Sequence, residues 1–451
     1  MSTTIAAVAT AHGIGSISII RLSGDNALQI AAKITQDKPL KPRYATLSTL
    51  HNKNSELIDE AIVIYFRGPN SFTGEDIVEF QCHGGVIVAQ QVLDSCLSFG
   101  AELAQPGEFS KRAFFNGRID LSEAEAIAQL IESKSEDAAK ILAAQMKGSL
   151  KNYVEDVRNQ LIEILAYSEV SIDYAEEDLP QDIIDQIILR LNVIKGELNK
   201  TLQSSKSRAG LMQGFRVAII GKPNVGKSSL LNSLLNYNRA IVSDIAGTTR
   251  DTIEEEVRIG THLIKMVDTA GIRSHENASD DIERIGIERS IEAIESSDIV
   301  IALFDSSREC DSEDEEIISL VQKYHDKKEF ISIYNKSDLE QKFYHDKIDT
   351  DKSLISMSCK EDSLELLSQL EKIMDVKNSS SEMMLISSRQ IEAVTKTVVA
   401  IEEATFPLDE QELEIFSFHI TEGIAAISSI TKIFDNEEML DKMFGSFCLG
   451  K

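Results

Sequence analysis

The sequence predicts a multidomain protein. An N-terminal α+β domain is followed by an all-α domain, and a doubly wound α/β domain is inserted into the all-α part. Three observations carry this. Gly221-Lys222-Pro223-Asn224-Val225-Gly226-Lys227-Ser228 fits the P-loop pattern G-x-x-x-x-G-K-[ST] between a strand-like and a helix-like run. Strand and helix patterns alternate across 214–376. Helical patterns flank that region on both sides, which is economical if one helical domain has been interrupted.

Taken in order, residues 5–9 and 16–20 read as strands around Gly13 and Gly15. Residues 61–66 and 76–81 give further strands, and 86–97 a helix. The pattern changes near Asp120, where Ser122-x-x-Glu125 reads as a capping box. Leu150, Val154, Val157, Leu161 and Ile164 then recur at helical steps, as do Ile187, Leu191, Ile194 and Leu198 beyond Pro180. Strands follow at 216–220, 263–267, 299–304, 330–334 and 354–357, with 254–259 forming a hairpin through Gly260-Thr261. After the polar linker 378–381, Val394, Val398 and Ile401, then Ile424, Ile427 and Ile430, mark amphipathic helices. The domains are expected at 1–118, 119–213 with 377–451, and 214–376.

The formal net charge is −28 over 451 residues. Nucleic acid is therefore not gripped through overall charge, and any RNA contact needs a local basic patch or a partner. The five cysteines are scattered without zinc spacing, which points to free thiols in a reducing compartment. No basic leader and no membrane-length apolar run is evident, so the expected location is cytoplasmic, off the membrane.

In the P-loop, Gly226 and the backbone of Asn224 and Val225 would wrap phosphates at a helix N-terminus that continues through Ser229. Lys227 would reach the β- and γ-phosphates, and Ser228 would hold Mg²⁺. Asp268-Thr269-Ala270-Gly271 follows a strand; its carboxylate would hold Mg²⁺ through water and Gly271 N–H would face the γ-phosphate. Asn335-Lys336-Ser337-Asp338 follows another strand. A carboxylate at Asp338 accepts two hydrogen bonds from guanine, which adenine cannot supply, so the nucleotide is GTP. Ser358-Cys359-Lys360 sits where a backbone N–H would meet guanine O6. Within Gly247-Thr248-Thr249-Arg250-Asp251, Thr249 offers a second hydroxyl to Mg²⁺.

The residue after Gly271 is Ile272, which cannot orient water as the glutamine of Ras-like enzymes does. The acidic run Asp280, Asp281, Glu283 lies downstream; it reads either as the water-positioning group or as a solvated helix face. The side-chain carbonyl of Asn224 could hold a monovalent cation beside the phosphates, in place of an arginine finger.

Further motifs span the chain: Arg21-Leu22-Ser23-Gly24, Phe72-Thr73-Gly74-Glu75-Asp76, Cys82-His83-Gly84-Gly85, Pro106-Gly107-Glu108-Phe109-Ser110, and the terminal Cys448-Leu449-Gly450-Lys451. With the nucleotide motifs, they make the chain similar throughout to the MnmE (TrmE) family of tRNA uridine-modification GTPases. The resemblance implies an N-terminal tetrahydrofolate-binding and dimerisation domain, a helical domain, and an inserted Ras-like G domain. It implies a homodimer working with a flavin-dependent partner of the MnmG (GidA) type, in a heterotetramer or larger complex. Together they place a carboxymethylaminomethyl or aminomethyl group on C5 of the wobble uridine (U34) of certain tRNAs. The carbon comes from a 5-formyl or 5,10-methylene tetrahydrofolate.

By the same resemblance the nucleotide-binding stretch takes in Ser243, Asp244, Ile245 and Ala246 together with Gly247, Thr248 and Thr249. The K⁺ ligands are Asn224, Ser243, Ile245 and Thr248, and Mg²⁺ takes Ser228 and Thr249. The water-orienting acid is Glu283, although a longer stretch after Arg273 leaves Asp280 and Asp281 as alternatives. Folate contacts fall on Arg21, Glu79, Arg118 and Lys451. Physically, Glu79 can accept hydrogen bonds from a pterin-like ring, while Arg21 and Arg118 otherwise read as surface charge. Cys448 becomes a functional thiol; other readings are a frayed tail or a poor prenylation signal. Two other GTPase classes are alternatives. A ribosome-assembly GTPase of the Era or Der type would bring a basic RNA-binding appendage, and a dynamin-like assembly GTPase longer stalks or a membrane segment. Neither feature is evident.

Overall fold

The computed structural model describes residues 3–11, 13–133, 135–173, 181–241, 255–267, 290–345, 348, 353–359, 363–378, 383–432, 440, 443–445, 447 and 450. Contacts group the chain into two compact units, Met1–Ile131 with Ala143–Asn192 and Glu392–Lys451, and Glu132–Leu142 with Val193–Ile391.

The first unit holds a sheet of six strands: β1 (Ile5–Val8), β2 (Ile17–Ser23), β3 (Thr46–His51), β4 (Leu57–Phe66), β5 (Ile77–His83) and β6 (Glu102–Leu103), in the order β3-β4-β5-β2-β1-β6. All pairs are antiparallel except β1–β6. Alternate residues enter the core: Ile20 and Leu22, Val63 and Tyr65, Val78 and Phe80. They pack against helices Ala27–Ile34 and Val86–Ser98 through Ile30, Ile34, Val92 and Cys96. Cys82 is a buried strand residue whose Sγ faces Ser18 O, and burial pushes its thiol up to about 11. Strand β3 has no counterpart in the sequence reading. Leu47 is exposed and Leu50 buried, so its two leucines point to opposite faces, and the register shifts at Leu50/His51.

Helix Leu121–Glu132 opens on a capping box, but not the expected one. Asp120 Oδ1 accepts from Glu123 N at 2.9 Å, and Glu123 Oε2 accepts from Asp120 N at 2.8 Å. The box is therefore Asp120/Glu123, two residues earlier. A carboxylate at the N-cap suits the positive end of the helix. Ser122 instead donates to Asp120 at 2.7 Å, and Glu125 is buried.

The helical stripes find partners. Leu150, Val154, Val157, Leu161 and Ile164 of helix Ser149–Asp173 are buried, and this helix packs on Leu413–Ser428, with Ser168 Oγ and Ser417 Oγ 3.0 Å apart. Chain segments on either side of the α/β region thus share one bundle. Near the C-terminus, Phe444 packs on Phe114 with ring centroids 6.2 Å apart. Gly450 lies against Val8 O so closely that no side chain would fit there.

The second unit holds a sheet in the order β12-β11-β10-β7-β9-β8, from β7 (Phe215–Ile220), β8 (Glu255–Ile259), β9 (His262–Val267), β10 (Ile299–Asp305), β11 (Glu329–Asn335) and β12 (Ile355–Met357). Every pair is parallel except the hairpin β8–β9, in which Ile259 pairs His262 across Gly260-Thr261 as the sequence predicts. The central strand β10 is buried at all its positions, a continuous apolar run that suits a parallel sheet covered on both faces. Ligand sites in such sheets lie beyond the strands' C-terminal ends.

Candidate functional site

The loop after β7 and the helix Lys227–Ile241 that follows it form the P-loop. Its shape is set from outside. Asn335, at the end of β11, donates from Nδ2 to Val225 O at 2.7 Å, and its Oδ1 accepts from Cys359 N at 3.0 Å. A Cβ at Gly226, where φ is +108°, would collide with that Asn335 amide. Asn335 is buried and uses both ends of its amide within the protein. It thus ties together three loops predicted to bind nucleotide, and the second N–H of its amide is left over for the base.

Lys227 Nζ donates to Gly221 O at 2.6 Å and Lys222 O at 2.9 Å. Burial pulls its ammonium down to about 8. Among the described residues its partners are these carbonyl dipoles, an arrangement that an incoming phosphate improves. The positive φ of Asn224, 63°, turns an exposed residue outward beside this cradle. Ser228 and Ser229 lie in the first turn of the helix, where free N–H groups and the helix dipole favour an anion.

The loop after β11 is braced in the same way. Lys336, with φ 66°, donates to the buried Asp305 at 2.5 Å. Although burial alone would raise the Asp305 carboxyl, hydrogen bonds from Lys336 and Ser307 hold it below the usual aspartate value. Ser337 N bonds Met357 O at 3.3 Å, which joins this loop to the end of β12. Asp338, two residues beyond Lys336, is exposed, as a base-reading carboxylate must be. Ser358 is buried beside Cys359, whose thiol burial pushes up to about 11.

Lys222 was not singled out from sequence. Its Nζ lies 2.6 Å from both Asp311 Oδ2 and Asp314 Oδ2. Burial opposes its charge, but the two hydrogen bonds outweigh that and raise its pKa. Asp311 and Asp314 also form a reciprocal capping box for helix Ser312–Tyr324. The legible signal was that D-x-x-D box ahead of an apolar run.

In the first unit, Arg21 and Glu79 are directly paired across β2 and β5, with Arg21 Nε 2.9 Å from Glu79 Oε1. The Arg21 guanidinium lies 5.7 Å from the ring centroids of both Phe72 and Phe109. Arg118 is exposed and donates to Ser71 O at 3.0 Å. Arg21, Glu79 and Arg118 thus converge on the loop that carries Ser71 and Phe72. Gly450 sits on β1 at Val8, next to Ala7, which pairs with Arg21. The aromatic floor and the Ser71 carbonyl went unread because they carry no motif.

The predicted residues Ser243, Asp244, Ile245, Ala246, Gly247, Thr248, Thr249, Asp268, Thr269, Ala270, Gly271, Glu283, Lys360, Cys448 and Lys451 lie outside the described residues, as do Ile272, Asp280 and Asp281. Four cysteines, Cys82, Cys96, Cys310 and Cys359, are free thiols. No helix among the described residues is long and apolar enough to cross a membrane.

A family model described as the MnmE helical domain matches residues 121–448, and one described as the GTP-binding protein TrmE N-terminus matches 4–118. The chain belongs to the MnmE family. Its similarity to named MnmE relatives runs end to end. The chain is 68% identical over 448 residues to the tRNA modification GTPase MnmE of Sulfurimonas denitrificans, covering 99% of both chains. It is 60% identical over 451 residues to that of a Sulfurovum species, covering 100% of this chain and 99% of the relative. Identity to the Aliarcobacter butzleri MnmE is 58% over 448 residues, with 99% of both chains covered.

Proposed function

We propose that this chain is a K⁺-stimulated GTPase of tRNA modification, acting as a homodimer with a flavin-dependent partner of the MnmG (GidA) type. The pair adds a carboxymethylaminomethyl or aminomethyl group to C5 of U34 in certain tRNAs, drawing one carbon from a tetrahydrofolate, in the cytoplasm. Family membership supports GTP hydrolysis in tRNA modification. The observation that carries the nucleotide reading is the Asn335 bracket, which holds the phosphate loop and the base loop as one rigid piece.

In this reading the functional domains are 1–118, 119–213 with 377–451, and the inserted G domain 214–376. Lys227 exchanges its carbonyl partners for the β- and γ-phosphates. Ser228 and Thr249 hold Mg²⁺, which neutralises charge on those phosphates when bound. Asn224 joins Ser243, Ile245 and Thr248 around K⁺. Asp268 and Gly271 face the γ-phosphate, Glu283 orients water, and Asp338 with the Ser358–Lys360 loop reads guanine. In the first unit Arg21, Glu79, Arg118 and Lys451 hold the folate, with Cys448 brought near by the tail. The placement of Gly450 beside β1 supports that last step. Dimerisation is supported by the uncovered sheet face, where Leu47 and Ile62 are cross-strand neighbours, both exposed.

Steady-state GTP hydrolysis in K⁺ and in Na⁺ tests the cation role. Hydrolysis should be several-fold faster in K⁺, and equal rates would refute it.

A further inference from the structure

We propose a divalent transition-metal site, fitted to Zn²⁺, between two helices of the C-terminal bundle and separate from the nucleotide site. Glu403 comes from helix Ser388–Asp409; His419 and Glu422 sit three residues apart on helix Leu413–Ser428. The three ligand atoms lie within 4.8 Å of one another.

The decisive geometry is at the imidazole. His419 Nδ1 is buried and makes no hydrogen bond among the described residues. It stands 3.4 Å from Glu403 Oε2 and 3.6 Å from Glu422 Oε2. Zinc bonds of about 2.1 Å at tetrahedral angles put neighbouring ligand atoms about 3.4 Å apart. The nitrogen is thus spaced from both carboxylates as it would be with a metal ion between them, and not as in a direct hydrogen bond. The helices are fixed at this crossing. Thr397 Oγ1 donates to Gly423 O at 3.4 Å, and a Cβ on Gly423 would already touch Ala400 Cβ at 3.4 Å.

The donor set selects the ion. One imidazole and two carboxylates suit Zn²⁺ or Co²⁺; Mg²⁺ prefers oxygen ligands alone. Both carboxylates are about half exposed, at 55% and 54%, so an ion can enter from solvent and a fourth position stays open to water. The ion would clip one helix to the other.

The test uses the full-length chain, stripped with chelator and kept in excess Mg²⁺ and GDP. Equilibrium dialysis against ZnCl₂ should show the wild type binding one more zinc per chain than His419→Ala or the double variant Glu403→Gln/Glu422→Gln. Zinc should raise Tm through this site in the wild type alone. The two glutamates are surface residues, so the double variant keeps the test independent of any folding defect in His419→Ala. Co²⁺ should give a tetrahedral visible spectrum that both variants lose. Equal zinc stoichiometry in all three proteins, or a cobalt spectrum unchanged by the substitutions, overturns the site.

Discussion

The two sheets carry their chemistry in different places. In the parallel sheet both faces are covered, β10 is buried throughout, and the functional side chains stand at strand ends. In the mostly antiparallel sheet one face is covered by two helices, and the other bears Arg21 and Glu79 against Phe72 and Phe109, with Leu47 and Ile62 exposed on the outer strands. A buried sheet can act only through its loops, which read as contiguous motifs. An open face acts through alternate residues of several strands, and these read as nothing in particular.

Charge pairs in the two places should therefore behave differently. Lys222→Ala strands the buried Asp314 carboxylate and is expected to cost about 3–5 kcal/mol of unfolding free energy in denaturant titration. Replacing the pair together, Lys222→Met with Asp314→Leu, should recover much of that loss. If Lys222→Ala is silent, the pair does not brace the loop. Asn335→Ala removes two bonds and leaves Val225 O and Cys359 N–H unpaired, at about 2 kcal/mol. GTP affinity should fall with it, because the phosphate loop loses its tie to the loop after β11. On the other sheet, Arg21→Ala breaks a pair only 20% and 14% exposed and should cost about 1.5 kcal/mol of stability, less than the fully buried pair. Its folate affinity, read by calorimetry, should nonetheless collapse.

What was legible follows the same division. All six strands of the second sheet could be found: β7, β10 and β11 are apolar runs, and β8 and β9 meet at Gly260-Thr261. The roles inside its loops were less legible. The motif shows that Asn335 belongs to the nucleotide loop, but not that it also brackets two neighbouring loops. Strand β3 escaped because its leucines, Leu47 and Leu50, do not share a face; helix Ala27–Ile34 buries Ala27, Ile30, Ala31 and Ile34 at helical spacing but spans only about two turns. The Ser122/Glu125 box matched a pattern that Asp120/Glu123 satisfies better, and only hydrogen bonds separate the two.

A smaller effect concerns protons. Lys227 sits at about 8 in the folded chain, below the ordinary lysine value of about 10.4. Between those values the unfolded chain holds the proton and the folded chain does not. The cost of burying this charge is thus fully present below pH 8 and relieved as pH rises through the window. Bound phosphate restores the charge, so nucleotide binding should take up a fraction of a proton at pH 9 and weaken as pH rises. Calorimetry in buffers of different ionisation heat reads this directly, and Lys227→Met should abolish it.

The central claim is that GTP read by this nucleotide site governs modification of the wobble uridine. It is tested by mass spectrometry of tRNA nucleosides from a strain lacking the chain. C5-aminomethyl-type uridines should be absent, return with the wild-type chain, and fail to return with Asp338→Asn, whose amide can no longer accept from both guanine N–H donors at once. Unaltered wobble uridines in the deletion strain, or full rescue by Asp338→Asn at cellular GTP, would contradict the account.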